Sequence, residues 1–262
     1  MNSKLKHRWH GVHTAVVTPF DKTGELDLHS FSRILEDQVA GGVSGVVICG
    51  TTGESPTLTE EERKTLIRLA IQQLRGQNVQ VLAGTGSNST AGTIELSLWA
   101  EEQGADGLLI VTHYYNKPSQ AGLIAHYGAI ADEVEIPIML YNVPGRTGVS
   151  LASASVAALA KHPKITAIKE ASGSVSFASE IIDAVGREGL ELQLLTGDDA
   201  LFLPTLAIGG CGVVSVASNL FPRAMCAIQK AFDVSDMRQA TEIHRKFSPL
   251  FRDLFIESNP FP

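Results

Sequence analysis

Ile165-Thr-Ala-Ile-Lys-Glu-Ala-Ser-Gly173 is an apolar run that contains one lysine, Lys169, near its carboxyl end. Burying an ammonium group is costly, so a lysine in such a run is unusual, and burial favours its neutral amine. A neutral amine is a nucleophile towards carbonyl carbons. The alternative is an edge-strand lysine whose stem lies on the sheet while its charged head reaches water.

A second strand-like run, Pro137-Ile-Met-Leu-Tyr141, comes earlier in the chain and leads into Asn142-Val-Pro-Gly-Arg-Thr-Gly148. The Pro-Gly pair in this segment predicts a turn. Arg146 on that turn is suited to binding a carboxylate with its fork of N–H donors. The alternative is an ordinary surface arginine.

Apolar runs of strand length alternate with amphipathic segments along the whole chain, which gives eight strand–helix units. The predicted strands are apolar throughout, as is typical of parallel strands that are buried on both faces. The pattern favours an α/β fold, a (β/α)8 TIM barrel, over a doubly wound open sheet. We assign residues 1–220 to the barrel and residues 221–262 to a helical extension of two helices, broken near Asp233–Asp236. The predicted strands are Val12–Phe20, Gly45–Gly50, Val79–Gly84, Gly107–Thr112, Pro137–Val143, the Lys169 strand, Glu191–Thr196 and Gly212–Ala217.

Composition narrows the class of protein. The chain has 262 residues and a net charge of −7, which disfavours a nucleic-acid partner. Its cysteines, Cys49, Cys211 and Cys226, are odd in number and far apart, which predicts reduced thiols rather than a disulfide framework or a zinc site. Residues 1–10 lack the apolar segment of a signal peptide, and no apolar run reaches membrane-spanning length. We therefore expect a cytoplasmic protein with no membrane partner.

Unusual residues cluster where the predicted strands end, and a barrel brings those ends to one face. Gly50-Thr-Thr-Gly-Glu54 can present free backbone N–H groups to a small anion, or can be a plain turn. His113-Tyr-Tyr-Asn-Lys-Pro118 can direct one tyrosine to the site and the other to an interface, or can be loop packing. We interpret Thr196-Gly-Asp-Asp199 as capping and loop structure, because no third metal ligand has suitable spacing. The glycines of Gly209-Gly-Cys-Gly212 permit close packing.

These residues together suit one kind of chemistry. A strand-buried lysine condenses with a ketone to give an imine, which acts as an electron sink. Tyrosine and threonine hydroxyls transfer the protons, and backbone donors hold the carboxylate of the substrate. This chemistry predicts a site without a metal ion or an organic cofactor.

The chain resembles the pyruvate-dependent class I aldolase and lyase family, and within it the dihydrodipicolinate synthases, from about Gly11 to Pro262. The resemblance implies a lyase that condenses pyruvate with L-aspartate-4-semialdehyde to 4-hydroxy-tetrahydrodipicolinate in lysine and diaminopimelate biosynthesis. It also implies a TIM barrel that assembles into a tetramer of tight dimers. Each motif is modest alone, but six in this order at strand ends are specific. They are GTTGE (50–54), YYN (114–116), YNVPGRTG (141–148), IKEASG (168–173), TGDD (196–199) and GGCGVVSV (209–216).

The resemblance implies catalytic roles for four residues. Lys169 forms the Schiff base with pyruvate, and Tyr141 donates and accepts protons. Thr51 and Tyr115 complete the proton relay, with Tyr115 reaching across a dimer interface into the neighbouring site.

The resemblance also implies a set of substrate-binding residues. Thr52 binds the pyruvate carboxylate through its backbone N–H, and Val214 contacts pyruvate. Arg146 supports the semialdehyde. Gly197 and Asn259 complete the predicted set.

Three features depart from the family pattern. The family's Thr-Pro-Tyr-Tyr is here Thr112-His113-Tyr114-Tyr115. Family chains continue beyond the point that corresponds to Pro262, from which we expect a dimer or a concentration-dependent tetramer. Lysine-sensitive members hold the ammonium of lysine with a glutamate, four residues after an asparagine. Here the asparagine is present as Asn88 but the glutamate position is Gly92, which predicts insensitivity to lysine.

Two alternatives remain open from the sequence. A 2-keto-3-deoxy sugar-acid aldolase belongs to the same family, but Arg146 argues against it. The Thr51-Thr52 pair likewise contrasts with the Ser-Thr common in N-acetylneuraminate lyases. The second alternative is an inactive barrel that serves as a binding or scaffold protein, against which the intact Lys169, Tyr141 and Arg146 argue.

Overall fold

The computed structural model describes residues 9–260, in which eight parallel strands form a closed barrel. Strands adjacent in sequence are adjacent in space, and the last strand pairs with the first to close the barrel. The predicted (β/α)8 barrel is therefore confirmed, and the open-sheet alternative is wrong. The strands are β1 (Gly11–Ala15), β2 (Gly45–Ile48), β3 (Gln80–Gly84), β4 (Gly107–Val111), β5 (Ile138–Asn142), β6 (Ile165–Glu170), β7 (Gln193–Thr196) and β8 (Gly212–Ser215).

Helices surround the barrel, and two of them, α9 (Pro222–Asp233) and α10 (Met237–Asp253), form the predicted helical extension with a break at residues 234–236. Two short 3-10 turns lie at Asp199–Leu201 and Ala217–Asn219. None of the helices within residues 9–260 combines the length and the apolar character that a membrane crossing requires. The helices are α1 (Leu28–Gly41), α2 (Glu60–Leu74), α3 (Thr90–Gln103), α4 (Gln120–Glu133), α5 (Pro144–Thr147), α6 (Ser153–Leu159), α7 (Val175–Arg187), α8 (Phe202–Ala207), α9 (Pro222–Asp233) and α10 (Met237–Asp253).

Residues 1–8 and 261–262 lie outside the described part of the chain. Two predictions concern these residues: the absence of a signal peptide in residues 1–10, and the outer limits of the barrel (residues 1–220) and of the helical extension (residues 221–262). Those predictions therefore stay predictions.

Some strands end earlier than predicted. The strand expected over Val12–Phe20 ends at Ala15, and Pro19 in the remaining segment has no N–H to donate to a ladder. The turn expected at Pro144-Gly145 is the short helix α5, because proline at the first helical position is already in a helical conformation. Gly148 ends α5 with φ 71°, in the left-handed region.

The side chains of the strands alternate between two apolar layers. Met139, Tyr141 and Ala167 pack in the cluster that fills the barrel interior. Leu140 and Ile168 pack in the larger cluster between the barrel and the helices. This alternation places Lys169 on the inner face of β6 with Ala167, and it places the residue after Lys169 on the outer face.

Candidate active site

Lys169 lies on β6, which is paired on both sides, with β5 and with β7. The edge-strand interpretation of this lysine is therefore wrong. Its side chain is only 4% exposed, and its Nζ lies 4.1 Å from the centre of the Tyr141 ring. Tyr141 is the register partner of Lys169 on β5. Within residues 9–260 no carboxylate forms an ion pair with Lys169, so the amine is buried against an aromatic ring.

Tyr141 connects the lysine to the loop after β2. The Thr51 hydroxyl donates to Tyr141 Oη at 3.5 Å, which is longer than an ordinary hydrogen bond between hydroxyls. Two of the predicted proton-transfer groups therefore lie side by side, next to the amine.

A cavity of about 580 Å³ opens at the carboxyl end of the barrel. Its volume is in the range of sites that bind small molecules. Loops from several strands and the end of α10 form its walls. The predicted site residues that line it are Thr51, Thr52, Tyr141, Arg146, Lys169 and Gly197.

The absence of a side chain at Gly197 leaves room for the side chain of Lys169. A Cβ at this position would lie 2.7 Å from Lys169 Cε and 2.7 Å from the Ala171 Cβ. The stem of Lys169 thus passes directly over the backbone of the β7 loop, and only glycine leaves room for it. The sequence placed Gly197 in the substrate-binding set without indicating this reason.

Arg146 and Asn259 meet at the rim of the cavity. Arg146 Nη1 donates to Asn259 Oδ1 at 2.8 Å, and Nη2 donates to the Ser258 carbonyl at 3.1 Å. These two bonds join α5 to the segment that follows α10. The structure therefore brings Arg146, predicted to bind the second substrate, together with Asn259, another residue of the predicted substrate-binding set.

Besides Asn259, which reaches the cavity only through its hydrogen bond to Arg146, two predicted residues do not line the cavity of this chain. Val214 is fully buried in the cluster that fills the barrel interior, and Val216, two residues later, lines the cavity instead. Tyr115 is 90% exposed, with φ 69°, on the loop after β4. The proposed contacts of both residues with substrate stay predictions.

The aspartates after β7 have the capping role that the sequence predicted. Asp198 accepts a hydrogen bond from the Ala200 N–H at 2.9 Å. Asp199 Oδ2 accepts from the N–H groups of Val216 and Ala217 at 3.0 and 2.8 Å and so holds the end of β8. Burial raises the pKa of Asp199 above its ordinary value.

The glycines before β8 permit close packing, as predicted. A Cβ at Gly212 would lie 2.1 Å from the Gly11 carbonyl oxygen, and one at Gly210 would lie 2.5 Å from Thr205 Cγ2. Both positions are backbone crossings at which a larger residue does not fit.

His113, which replaces the proline of the family pattern, packs against His126 with ring centres 4.0 Å apart. Thr90 on α3 shares a 2.9 Å hydrogen bond with His126 Nδ1. Burial, reinforced by His113, lowers the pKa of His126 to about 4. The substitution therefore builds a packed pair of histidines, and burial lowers the pKa of both rings.

The sequence analysis missed one polar pair near the site. Asn142 and Glu170 are buried, and Asn142 Nδ2 donates to Glu170 Oε2 at 2.7 Å. Each directly follows a predicted catalytic residue, Tyr141 and Lys169 respectively. A polar residue at the next position of an otherwise apolar strand was the available signal.

Comparisons with known proteins agree with this geometry. A model of the dihydrodipicolinate synthetase family matches residues 8–262. The chain is 50% identical over 252 residues to a 4-hydroxy-tetrahydrodipicolinate synthase of Leptospira biflexa, and the match covers 96% of this chain and 84% of that protein.

Two solved structures extend the comparison. The first is the synthase of Cyanidioschyzon merolae with lysine bound, with a TM-score of 0.93, 41% identity and coverage of 98% of this chain and 87% of that one. The second is the chloride-inhibited synthase of Acinetobacter baumannii complexed with pyruvate, with a TM-score of 0.92, 40% identity and coverage of 97% and 86%. The fold, the site and these matches agree, and the chain belongs to the dihydrodipicolinate synthetase family.

Proposed function

We propose that this protein is a lyase that condenses pyruvate with L-aspartate-4-semialdehyde to 4-hydroxy-tetrahydrodipicolinate, in lysine and diaminopimelate biosynthesis. The observation that carries the proposal is the buried Lys169 amine, 4.1 Å from the Tyr141 ring, in a cavity at the carboxyl end of the barrel. The names of the relatives support it, as does the pyruvate bound to the Acinetobacter baumannii protein.

The chemistry follows from an amine in this position. The Lys169 amine adds to the ketone carbon of pyruvate, and water is lost to give an imine. Removal of a methyl proton gives an enamine, whose carbon attacks the aldehyde of the second substrate and forms the new C–C bond. The amino group of that substrate then displaces Lys169 from the imine and closes the ring. Tyr141 and Thr51 would move the protons, and the 3.5 Å separation of their hydroxyl oxygens beside the amine supports this role.

The turn after β2 supports a carboxylate site. The N–H groups of Gly53 and Glu54 are bonded inside the turn, to the carbonyls of Gly50 and Thr51. For the N–H groups of Thr51 and Thr52, by contrast, residues 9–260 supply no hydrogen-bond acceptor. Free backbone donors beside a buried amine suit the carboxylate of pyruvate.

In this proposal Arg146 binds the carboxylate of the semialdehyde; its position at the rim of the cavity, bonded to Asn259, supports that role. A guanidinium can take a carboxylate with two parallel hydrogen bonds. A sugar acid would instead need hydroxyl partners along its chain. The arginine therefore favours the semialdehyde over the sugar-acid alternative.

We infer that the protein self-associates and that Tyr115 completes the proton relay of a neighbouring copy. Its 90% exposure and its position outside the cavity of its own chain support this inference. Mixing Tyr115→Phe with Lys169→Ala tests it, because each mixed dimer would contain one complete site. About a quarter of the wild-type activity is expected, since half the dimers are mixed. A mixture no more active than the sum of its components would contradict shared sites.

We also infer a cytoplasmic location. Cys49, Cys211 and Cys226 are free thiols, a state that reducing compartments maintain. Burial raises the pKa of the Cys49 thiol to about 12, so this cysteine is inert packing rather than a nucleophile.

The proposed function is tested by mass spectrometry of reactions that contain both substrates. The condensed product is expected with wild-type protein and is expected to be absent with Lys169→Ala. A sugar-acid aldolase would instead release pyruvate from 2-keto-3-deoxy acids. A folded protein that gives neither reaction would support the scaffold alternative and contradict the proposal.

A further inference from the structure

Asn142 and Glu170 occupy the position one residue beyond the reacting pair. Tyr141 is paired in register with Lys169, and Asn142 is paired with Glu170. Because side chains alternate along a strand, Asn142 and Glu170 point away from the cavity, into the layer between the barrel and the helices. Asn142 is 0% exposed and Glu170 is 4% exposed.

A continuous chain of hydrogen bonds passes through the pair. The Leu151 N–H donates to Asn142 Oδ1 at 2.9 Å, and Asn142 Nδ2 donates to Glu170 Oε2 at 2.7 Å. The Ser172 N–H donates to Glu170 Oε1 at 2.5 Å. The segment after α5 is thereby joined to the loop after β6, through the two residues that follow Tyr141 and Lys169.

The backbone carbonyls of Asn142 and Glu170 also accept hydrogen bonds, from residues that lie next to the Lys169 side chain. The Ala171 N–H donates to the Asn142 carbonyl at 2.9 Å, and the Gly197 N–H donates to the Glu170 carbonyl at 2.7 Å. Gly197 is the residue over which the stem of Lys169 passes. A shift of Glu170 would therefore displace the support of the lysine side chain.

The hydrogen bonds of Asn142 and Glu170 fix which atoms of the two side chains donate and which accept. Both groups that bond to the side chain of Glu170 are donors, so both of its oxygens must accept, and a glutamine would satisfy only one of them. Asn142 must donate with its amide nitrogen and accept with its oxygen. Burying a carboxylate costs free energy that an apolar pair of the same size would not. A role besides stability is therefore the better explanation for this pair.

We propose that Asn142 and Glu170 are positioning residues that fix the register of β5 and β6 at which Tyr141 faces Lys169. This inference rests on the proposed function, because it assigns the pair to the imine chemistry of Lys169. Neither residue touches the cavity. They act through the backbone that holds the two reacting side chains.

The polarity of the pair permits a sharp test. Glu170→Gln loses one of the three hydrogen bonds, and Asn142→Asp places two carboxylates in contact. The double variant N142D/E170Q restores every bond with donor and acceptor exchanged. The introduced glutamine amide would donate to the introduced aspartate, which still accepts from the Leu151 N–H, while the glutamine oxygen accepts from the Ser172 N–H. The net charge of the pair is also unchanged.

The readout is the rate of borohydride-trapped pyruvate adduct at saturating pyruvate, measured beside the apparent affinity for pyruvate and the melting temperature. We expect each single variant to trap about ten- to a hundredfold more slowly, because small misplacements of reacting groups have effects of this size. The double variant is expected to recover to within about threefold of wild type. The affinity for pyruvate should change less than the trapping rate.

Thr14→Val is the matched control. It removes a buried 2.7 Å hydrogen bond to Gln38 from β1, a strand that does not pair with β5 or β6. It should lower the melting temperature without slowing the trapping.

Each remaining outcome overturns the proposal. Single variants that trap at the wild-type rate would do so, as would an equal slowing by Thr14→Val. A double variant that stays slow, or that fails to fold, would also contradict the exchange of polarity. Absence of an adduct in wild-type protein would instead refute the proposed function itself, which distinguishes the two failures.

Discussion

The two ends of the barrel differ in the size of their cavities and in the reactive side chains that line them. The larger cavity is not the one that holds the reactive side chains. A concave region of about 960 Å³ lies at the amino end, and the cavity at the carboxyl end is about 580 Å³. Of the described residues that line the larger region, none is a lysine, tyrosine or cysteine. The smaller cavity holds both Lys169 and Tyr141. The buried Lys169 beside Tyr141, and not the volume of the cavity, is therefore the reason to place the candidate active site at the carboxyl end.

The amino end is built for packing. Trp9 is fully buried in the cluster that fills the barrel interior and donates to Thr166 Oγ1 at 2.9 Å. His13 is also fully buried, and burial lowers its pKa to about 4, so its ring is neutral near pH 7. Gly45 lies directly against that ring. The same fold thus supports stability at one end and chemistry at the other.

Substitution of one glycine at each end of the barrel should give the largest contrast between an effect on activity and an effect on stability. A Cβ at Gly197 would lie 2.7 Å from Lys169 Cε, and a Cβ at Gly45 would lie 2.5 Å from His13 Cδ2. We expect Gly197→Ala to lower kcat by about a hundredfold or more, because it moves the nucleophile. Gly45→Ala should destabilise the fold by about 1–3 kcal/mol with kcat unchanged in folded protein.

Steady-state kinetics and urea denaturation of both variants measure this contrast. Comparable losses of kcat in both would show that the two ends are not separate in function. Full activity of Gly197→Ala would show that the lysine does not need the space that this glycine leaves.

The free energy of unfolding should depend on pH because His13, at the amino end of the barrel, is buried with a neutral ring. The folded-state pKa of His13 is about 4, below its unfolded value, so the unfolded chain binds more protons between these values. The contribution of His13 is present in full above about pH 6.5 and is lost as pH falls from there to 4. Its size is on the order of 3 kcal/mol.

Urea denaturation between pH 7 and pH 4.5 measures that loss. His13→Gln should flatten the dependence, although His126, whose pKa is also lowered to about 4, keeps part of it. Exposed His29 is the control, and His29→Gln should leave the dependence unchanged. An equal pH dependence in wild type and His13→Gln would contradict a buried neutral ring.

Much of this arrangement was predictable from the sequence, and the remainder depends on distances between strands. The barrel and the roles of the Lys169 and Tyr141 strands follow from apolar runs and from the residues at their ends. The space that Gly197 leaves for the lysine arises where β7 passes beside β6, which no local pattern encodes. The hydrogen bond between Asn142 and Glu170 likewise depends on strand register.

Arg146 should distinguish the two substrates at the carboxyl end. We expect Arg146→Ala to raise the KM for the semialdehyde about tenfold to a hundredfold, with a much smaller effect on the KM for pyruvate. Because Arg146 also holds Asn259, Asn259→Ala is measured beside it; this variant removes that hydrogen bond but keeps the guanidinium, and should raise the KM for the semialdehyde less than Arg146→Ala does. Equal effects of Arg146→Ala on both substrates would indicate that the arginine only holds the chain segment.

Of the predicted effects, inhibition of the activity by added free lysine should be the smallest. The position expected to hold a glutamate is Gly92, and Asn88 donates to Asn116 Oδ1 at 3.2 Å. We expect less than half-inhibition at about 1 mM lysine, because a charge-assisted bond worth about tenfold to a hundredfold in affinity is missing. A Cβ at Gly92 would meet only ordinary contacts, the nearest at 3.6 Å, so Gly92→Glu should fold and move the protein towards inhibition. Half-inhibition of the wild type below about 1 mM would contradict the prediction.

Borohydride trapping with pyruvate tests the assignment of Lys169 most directly. Peptide mapping should locate the reduced adduct on Lys169 in the wild type and in Lys161→Ala, which removes a surface lysine paired with Glu188. Lys169→Ala should fold and give no adduct. An adduct that persists in Lys169→Ala, that maps to another lysine, or that never forms in folded wild-type protein would contradict the account.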